Sequence, residues 1–225
     1  MVKHIELMGM EIPNYSLREE ITCVEEALKN TELNIFLTVS MEYLVLAGHE
    51  NPVKDSIRQA KLLIIDDKEI LSVAGIHSSQ RIHEASEHVF FTEMMKRLVR
   101  SQREVFLVAD TKEELNKARD ILEGQFDRLR ITGQYALEDH PDDYDHMINE
   151  MNGCAPDVIL SIMDSPEQER FLMEHKGKIG AKIWYGLGMH YQQLIERKGF
   201  GWKLRKLIHF GRFKMHVNHY QESEK

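Results

Sequence analysis

Three places in this 225-residue chain put reactive side chains where an apolar run stops, and a fourth puts an anion-binding arginine in a polar stretch. Leu62 to Ile65 runs straight into Asp66-Asp67. A carboxylate there can accept a proton, and its acidic neighbour disfavours a second negative charge and so raises its basicity. The same Asp66 also suits the N-cap of a following helix, Lys68 to Ala74. Thr38-Val39-Ser40 closes the run Leu33 to Val39 with two hydroxyls. Asp164-Ser165-Pro166-Glu167-Gln168-Glu169 closes the run Val158 to Met163. Arg81, in the polar stretch Ser78-Ser79-Gln80-Arg81, reads as a loop residue able to hold a phosphate through two parallel hydrogen bonds, or as an ordinary surface arginine.

The elements that must carry these groups alternate. Ile5 to Ile12 reads as an edge strand or hairpin arm, and Ser16 with Glu19 forms a capping box for a helix to about Lys29. Helical segments follow over Met41 to Gly48 and Pro52 to Ala60, with a long one from Glu87 to Gln102 whose apolar residues Val89, Phe90, Met94 and Leu98 recur at helical spacing. Glu104 to Ala109 reads as a strand, Asp110 or Thr111 caps the next helix, and Leu129 to Thr132 reads as a strand. Asp142 to Asn152 reads as a helix and Ala181 to Leu187 as the last strand. Ser165 is expected at the N-cap of a further helix with Pro166 at its first position, and Gln168 on its first turn facing a crevice or solvent. Apolar strands alternating with helices predict an α/β fold: a mainly parallel, Rossmann-like sheet with helices on both faces. In such sheets ligands bind at the carboxyl ends of the strands, where Thr38, Asp66 and Gln168 are expected to line one crevice.

The domain is expected over residues 1–195, followed by a basic amphipathic tail at 196–225. Net charge is −8, yet Arg197 to His219 carries seven Lys or Arg and no Asp or Glu. Interleaved with them are Phe200, Trp202, Leu204, Leu207, Ile208, Phe210 and Phe213. Cations mixed with large apolar groups suit an anionic membrane surface. No nucleic-acid motif accompanies them, and the acidic body argues against that partner. A terminal helix packing its apolar face is the plainer alternative. No stretch has the roughly 18 apolar residues of a membrane span. The start of the chain lacks a signal-peptide pattern, so a cytoplasmic protein, peripheral on the inner face of the cell membrane, is expected. Cys23 and Cys154 stand far apart and read as small buried hydrophobes. His77, His83 and His88 are close in sequence but lack a carboxylate at ligand spacing, so no metal is expected. Gly186-Leu187-Gly188 alone is weak support for a dinucleotide site, and no cofactor is expected. The sequence leaves a homo-oligomer open.

Taken in order, these segments resemble the WecG/TagA/CpsF glycosyltransferases over nearly the whole chain. Ile5 to Ile12 is similar to that family's first strand pair, and Thr38, Ser40 and Glu42 to its T-x-N-x-E segment. Ala60 to Asp66 is similar to the strand that delivers its proposed base, Gln80-Arg81-Ile82 to E-R-V, and Pro166 to Glu169 to P-K-Q-E. Trp202 and Arg205 fall as in E-W-x-x-R, with Arg212 beyond. The resemblance implies inverting transfer of an N-acetylmannosamine-like sugar from a UDP-sugar to a polyprenyl-diphosphate-linked acceptor, in teichoic acid or surface polysaccharide synthesis, without a metal. It implies Asp66, Arg81 and Gln168 as catalytic residues, the last reading a sugar or uracil edge. Thr38, Ser40, Glu169, Arg205 and Arg212 would bind substrate. The departures are Ser40 for asparagine, Asp67 and Asp164 for glycine, Glu167 for lysine and Gly201 for glutamate. The added carboxylates would repel a diphosphate. They leave open a divergent enzyme or a relative that binds without turnover.

Overall fold

The runs that are apolar at every position become strands buried on both sides. The computed structural model describes residues 3–141 and 143–188. Arg205, Arg212 and the rest of the tail lie outside them. A hairpin opens the chain, β1 (Lys3–Leu7) with β2 (Met10–Asn14), antiparallel, turning at Met8-Gly9 with positive φ at both. Then come α1 (Leu17–Ala27), β3 (Asn34–Val39), α2 (Met41–Ala47), α3 (Asn51–Gln59), β4 (Leu62–Ile65), α4 (Lys68–Val73), α5 (Ser79–Ser86) and α6 (Val89–Arg100). The second half runs β5 (Glu104–Ala109), α7 (Lys112–Gln125), β6 (Arg130–Ala136), α8 (Tyr144–Cys154), β7 (Val158–Ser161), α9 (Glu167–His175) and β8 (Ile183–Gly186).

The six strands β3 to β8 form one sheet in the order β4-β3-β8-β7-β5-β6, and all five pairings are parallel. The chain leaves β3 toward β4 and β5 toward β6, so the order reverses in the middle, where β7 and β8 complete the sheet. All six strands therefore end on the same side, and the reversal leaves that side open at β3 and β8.

Strand alternation sorts the core into two halves. Trp184 and Tyr185 are neighbours in β8, both fully buried, and belong to different halves. Trp184 packs with Leu37, Ile65, Met163 and Phe171. Tyr185 packs with Phe36, Ile64, Phe90 and Phe91. Burial of each large side chain contributes roughly 2–3 kcal/mol. The second half is roofed by α1, α6 and α7, the first by α2, α3, α8 and α9 together with the hairpin.

The Ser16 capping box is present: Glu19 N donates to Ser16 Oγ (3.4 Å) and Ser16 N to Glu19 Oε2 (2.7 Å). Three readings are corrected. The stretch around Arg81 is not a loop but helix α5, capped by Ser78 Oγ accepting from Arg81 N (3.4 Å). Ser165 does not cap α9; Pro166 holds the cap position, and Ser165 Oγ donates to Glu169 Oε1 (3.0 Å). The strand expected at 129–132 runs to Ala136, because its partner β5 extends the ladder past a register shift at Val105-Phe106.

Candidate functional site

Alternation along β4 decides where Asp66 points. Leu62 and Ile64 face the half-core under α1 and α6, and Asp66 follows in the same phase. Thr38 has that phase on β3, and its Oγ1 donates to the Tyr185 hydroxyl (3.1 Å). His88, the residue before α6, brings Nδ1 to 2.6 Å from Asp66 Oδ1, with both side chains only slightly exposed. Burial, then the Asp66 charge, pushes the Tyr185 phenol well above its usual range, so it stays a neutral hydrogen-bonding group.

Behind this pair sits a second set of charges. Arg81 Nη1 donates to Glu84 Oε2 (2.7 Å) and Nε to Asn14 Oδ1 (3.1 Å), while Nη2 lies 3.7 Å from Glu20 Oε1. Arg81 is 8% exposed and lies in helix α5, so it is neither a surface arginine nor a loop residue. It is the cation that allows two carboxylates to be buried beside it. Burial pushes the Glu20 carboxyl up to about 8, with Arg81 opposing and Glu84 and Asp66 adding to the rise.

Gln168 lies at the same end of the sheet but in the opposite half-core. Its Oε1 accepts from Trp184 Nε1 (3.2 Å) and its Nε2 donates to Glu169 Oε1 (3.0 Å). It is 1% exposed, facing neither crevice nor solvent. Glu169 is fully buried; Oε1 also accepts from Tyr43 Oη (3.0 Å) and Ser165 Oγ (3.0 Å). Burial pushes the Glu169 carboxyl up against the lowering effect of these donors. Gly186 makes the packing fit: a Cβ there would sit 2.8 Å from Gln168 Nε2 and 3.0 Å from Leu37 Cδ2. Ser40 Oγ accepts from Tyr43 N (3.2 Å), capping α2.

The expected residues thus fall into two groups at one end of the sheet. Thr38 and Asp66 stand together, with Arg81 joined to Asp66 through Glu20. Gln168 and Glu169 stand together with Ser40 linked to them through Tyr43. Of the carboxylates that depart from the family pattern, Asp67 adjoins Asp66 in the first group, and the other two flank the second: Asp164 N donates to Asp110 Oδ2 (2.7 Å), and Glu167 pairs with Arg170. Burial and the charges of Asp164, Glu114 and Glu167 push the Asp110 carboxyl up. Sequence reading missed His88, Glu20, Tyr43 and Tyr185. Glu20 sits on the buried face of α1, one residue before Ile21 and four before Val24, a polar residue in an apolar phase. His88 carries no such signal, since 22 residues of chain separate it from Asp66. Among the described residues no group of three or more His, Cys, Asp or Glu is placed to hold a metal ion. A hollow of about 610 Å³ beside Asn34, Lys61 and Lys176 opens at the amino ends of β3 and β4, away from both groups.

A reversing parallel sheet with an acid–imidazole pair and hydroxyls at its carboxyl ends is the frame of an α/β enzyme. The chain belongs to the glycosyl transferase WecG/TagA/CpsF family, whose profile matches residues 5–198. It is similar to N-acetylglucosaminyldiphosphoundecaprenol N-acetyl-beta-D-mannosaminyltransferase of Staphylococcus aureus strain MRSA252, 19% identical over 186 residues, 82% of this chain and 72% of that one. The protein of the same description from strain NCTC 8325 is 18% identical over the same span. The chain is accordingly a glycosyltransferase, and among its described residues no helix is long and apolar enough to cross a membrane.

Proposed function

We propose that this glycosyltransferase moves an N-acetylmannosamine-like sugar from a UDP-sugar to a sugar hydroxyl on a polyprenyl diphosphate, with inversion, in cell-surface polysaccharide or teichoic acid synthesis. The observation that carries this reading is the Asp66–His88 pair beside Thr38 at the open end of the sheet. The acceptor hydroxyl loses its proton toward that pair as its oxygen attacks the anomeric carbon. The bond from that carbon to the diphosphate oxygen breaks, and UDP leaves with the electron pair. Arg81 is engaged by Glu84 and Asn14, and Asp110, Asp164 and Glu167 oppose the departing charge. The positive charge comes from the tail at 196–225, with Arg205 and Arg212 as phosphate contacts and the remaining cations on an anionic membrane surface at the inner face of the cell membrane.

The test is incubation of the full chain with a panel of UDP-sugars and a short polyprenyl-diphosphate N-acetylglucosamine. A lipid-linked disaccharide formed from UDP-N-acetylmannosamine is expected. Binding of donor and acceptor without product from any donor would overturn the reading in favour of a non-catalytic accessory.

A further inference from the structure

His88 combines three features that packing alone does not explain. Its Nδ1 stands 2.6 Å from Asp66 Oδ1. Its backbone is left-handed, φ 51° and ψ 43°, at the start of α6, where no side-chain cap is made and a glycine or asparagine would be the unstrained choice. Its side chain is 16% exposed although Nδ1 itself is buried, so the exposed part of the ring lies away from Asp66. The backbone is therefore held in an uncommon conformation with one buried ring nitrogen against a carboxylate and the rest of the ring partly exposed. Such outliers gather where geometry is set for function.

We propose that Asp66 and His88 act as a carboxylate–imidazole dyad in which His88 is the catalytic base and Asp66 its positioning residue. The inference rests on the glycosyl-transfer reading. Asp66 keeps the imidazole proton on Nδ1 and turns the Nε2 lone pair outward. Nε2 takes the proton from the acceptor hydroxyl as the new bond to the anomeric carbon forms and UDP departs. The imidazolium so formed is stabilised by Asp66 and returns its proton to solvent through its exposed edge. Glu20 from α1 and Tyr185 from β8 lie close enough to feel the Asp66 charge, Arg81 and Glu84 from α5 face Glu20, and Asp67 follows Asp66 in the chain.

Two variants and one spectrum test this. H88G relieves the positive φ, so the fold is retained, and opens space for a free imidazole. Transfer should fall by about 10²-fold or more and recover in part with added imidazole. D66N should fall similarly and not respond to imidazole. H88G activity within threefold of the parent, or a loss that imidazole leaves unchanged while D66N is inactive, would make Asp66 a lone base and overturn the dyad. If the parent transfers no sugar at all, the function proposed above fails first, and the dyad is judged by nitrogen-15 NMR of the histidine rings. Neutral His88 should carry its proton on Nδ1 in the parent and lose that preference in D66N. A parent ring protonated on Nε2 would overturn the dyad whatever the activity.

Discussion

The two sides of the sheet meet at the same carboxyl edge and solve opposite problems. On the side of α1 and α6, Asp66, His88, Glu20, Arg81 and Glu84 hold several ionisable groups within reach of one another, and the outermost pair keeps some exposure. On the side of α9, Tyr43, Ser165 and Gln168 all donate to Glu169 Oε1 and Trp184 donates to Gln168, with Gln168 and Glu169 buried and Glu169 Oε2 without a hydrogen-bond partner among the described residues. A base needs a group that can gain a proton and reach solvent or substrate. A scaffold needs donors and acceptors already matched. The function proposed above places chemistry on the first side and rigidity on the second, although sequence motifs mark both alike.

The sharpest way to break this comparison is Asp66→Asn. It should lower transfer by about 10²–10⁴-fold while leaving the thermal melt close to the parent's, because the volume is unchanged and a negative neighbour of Glu20 is removed. Transfer within threefold of the parent would take the chemistry off this side.

Truncation after Glu196 asks where the cations come from. Each Lys or Arg near an acidic bilayer contributes on the order of 1 kcal/mol, screened by salt. Loss of residues 197–225 should abolish sedimentation with acidic vesicles and reduce transfer, with the circular dichroism of the sheet intact. Equal sedimentation of both proteins would show that the membrane contact lies on the body.

On the second side, Gly186→Ala should be a stability variant. Its Cβ would press on Gln168 at 2.8–2.9 Å and Leu37 at 3.0 Å, and Gln168 is pinned by Trp184 and Glu169. A loss of about 1–3 kcal/mol in denaturant melts is expected. Lost transfer with unchanged stability would move this side into the chemistry.

The smallest effect is Glu20→Gln. The carboxyl titrates near 8 when folded against about 4.5 when exposed. Below pH 4.5 both states are protonated; as pH rises toward 8 only the unfolded state releases its proton, so Glu20 costs stability over that window. The glutamine variant should equal the parent in stability near pH 4 and exceed it progressively as pH rises toward 8. The difference isolates Glu20 from Glu169 and Asp110, whose carboxyls are also raised and remain in both proteins. A difference independent of pH would mean that Glu20 is ionised when folded.

What the sequence determined by itself is what depends on neighbours along the chain. Leu62 to Ile65 ends at Asp66 because a fully apolar run of that length is a buried strand, and Ser16 with Glu19 caps α1 through contacts three residues apart. The alternation of such runs with helices is enough for a parallel sheet with Thr38, Asp66 and Asp164 at its carboxyl end. Tertiary structure decided the rest. Ser78-Ser79 looks like a loop, yet it starts α5, and that helix turns Arg81 inward onto Glu84 and, through packing against α1 and the hairpin, onto Glu20 and Asn14. Insertion of β8 between β3 and β7 places Trp184 and Gly186 around Gln168, which makes a first-turn glutamine a buried clamp. His88 meets Asp66 only because α6 crosses back under β4. Phase along a strand is local and can be read from spacing; which face a helix returns to, and which strand fills the middle of the sheet, depend on contacts between residues far apart in the chain, and no local spacing carries them.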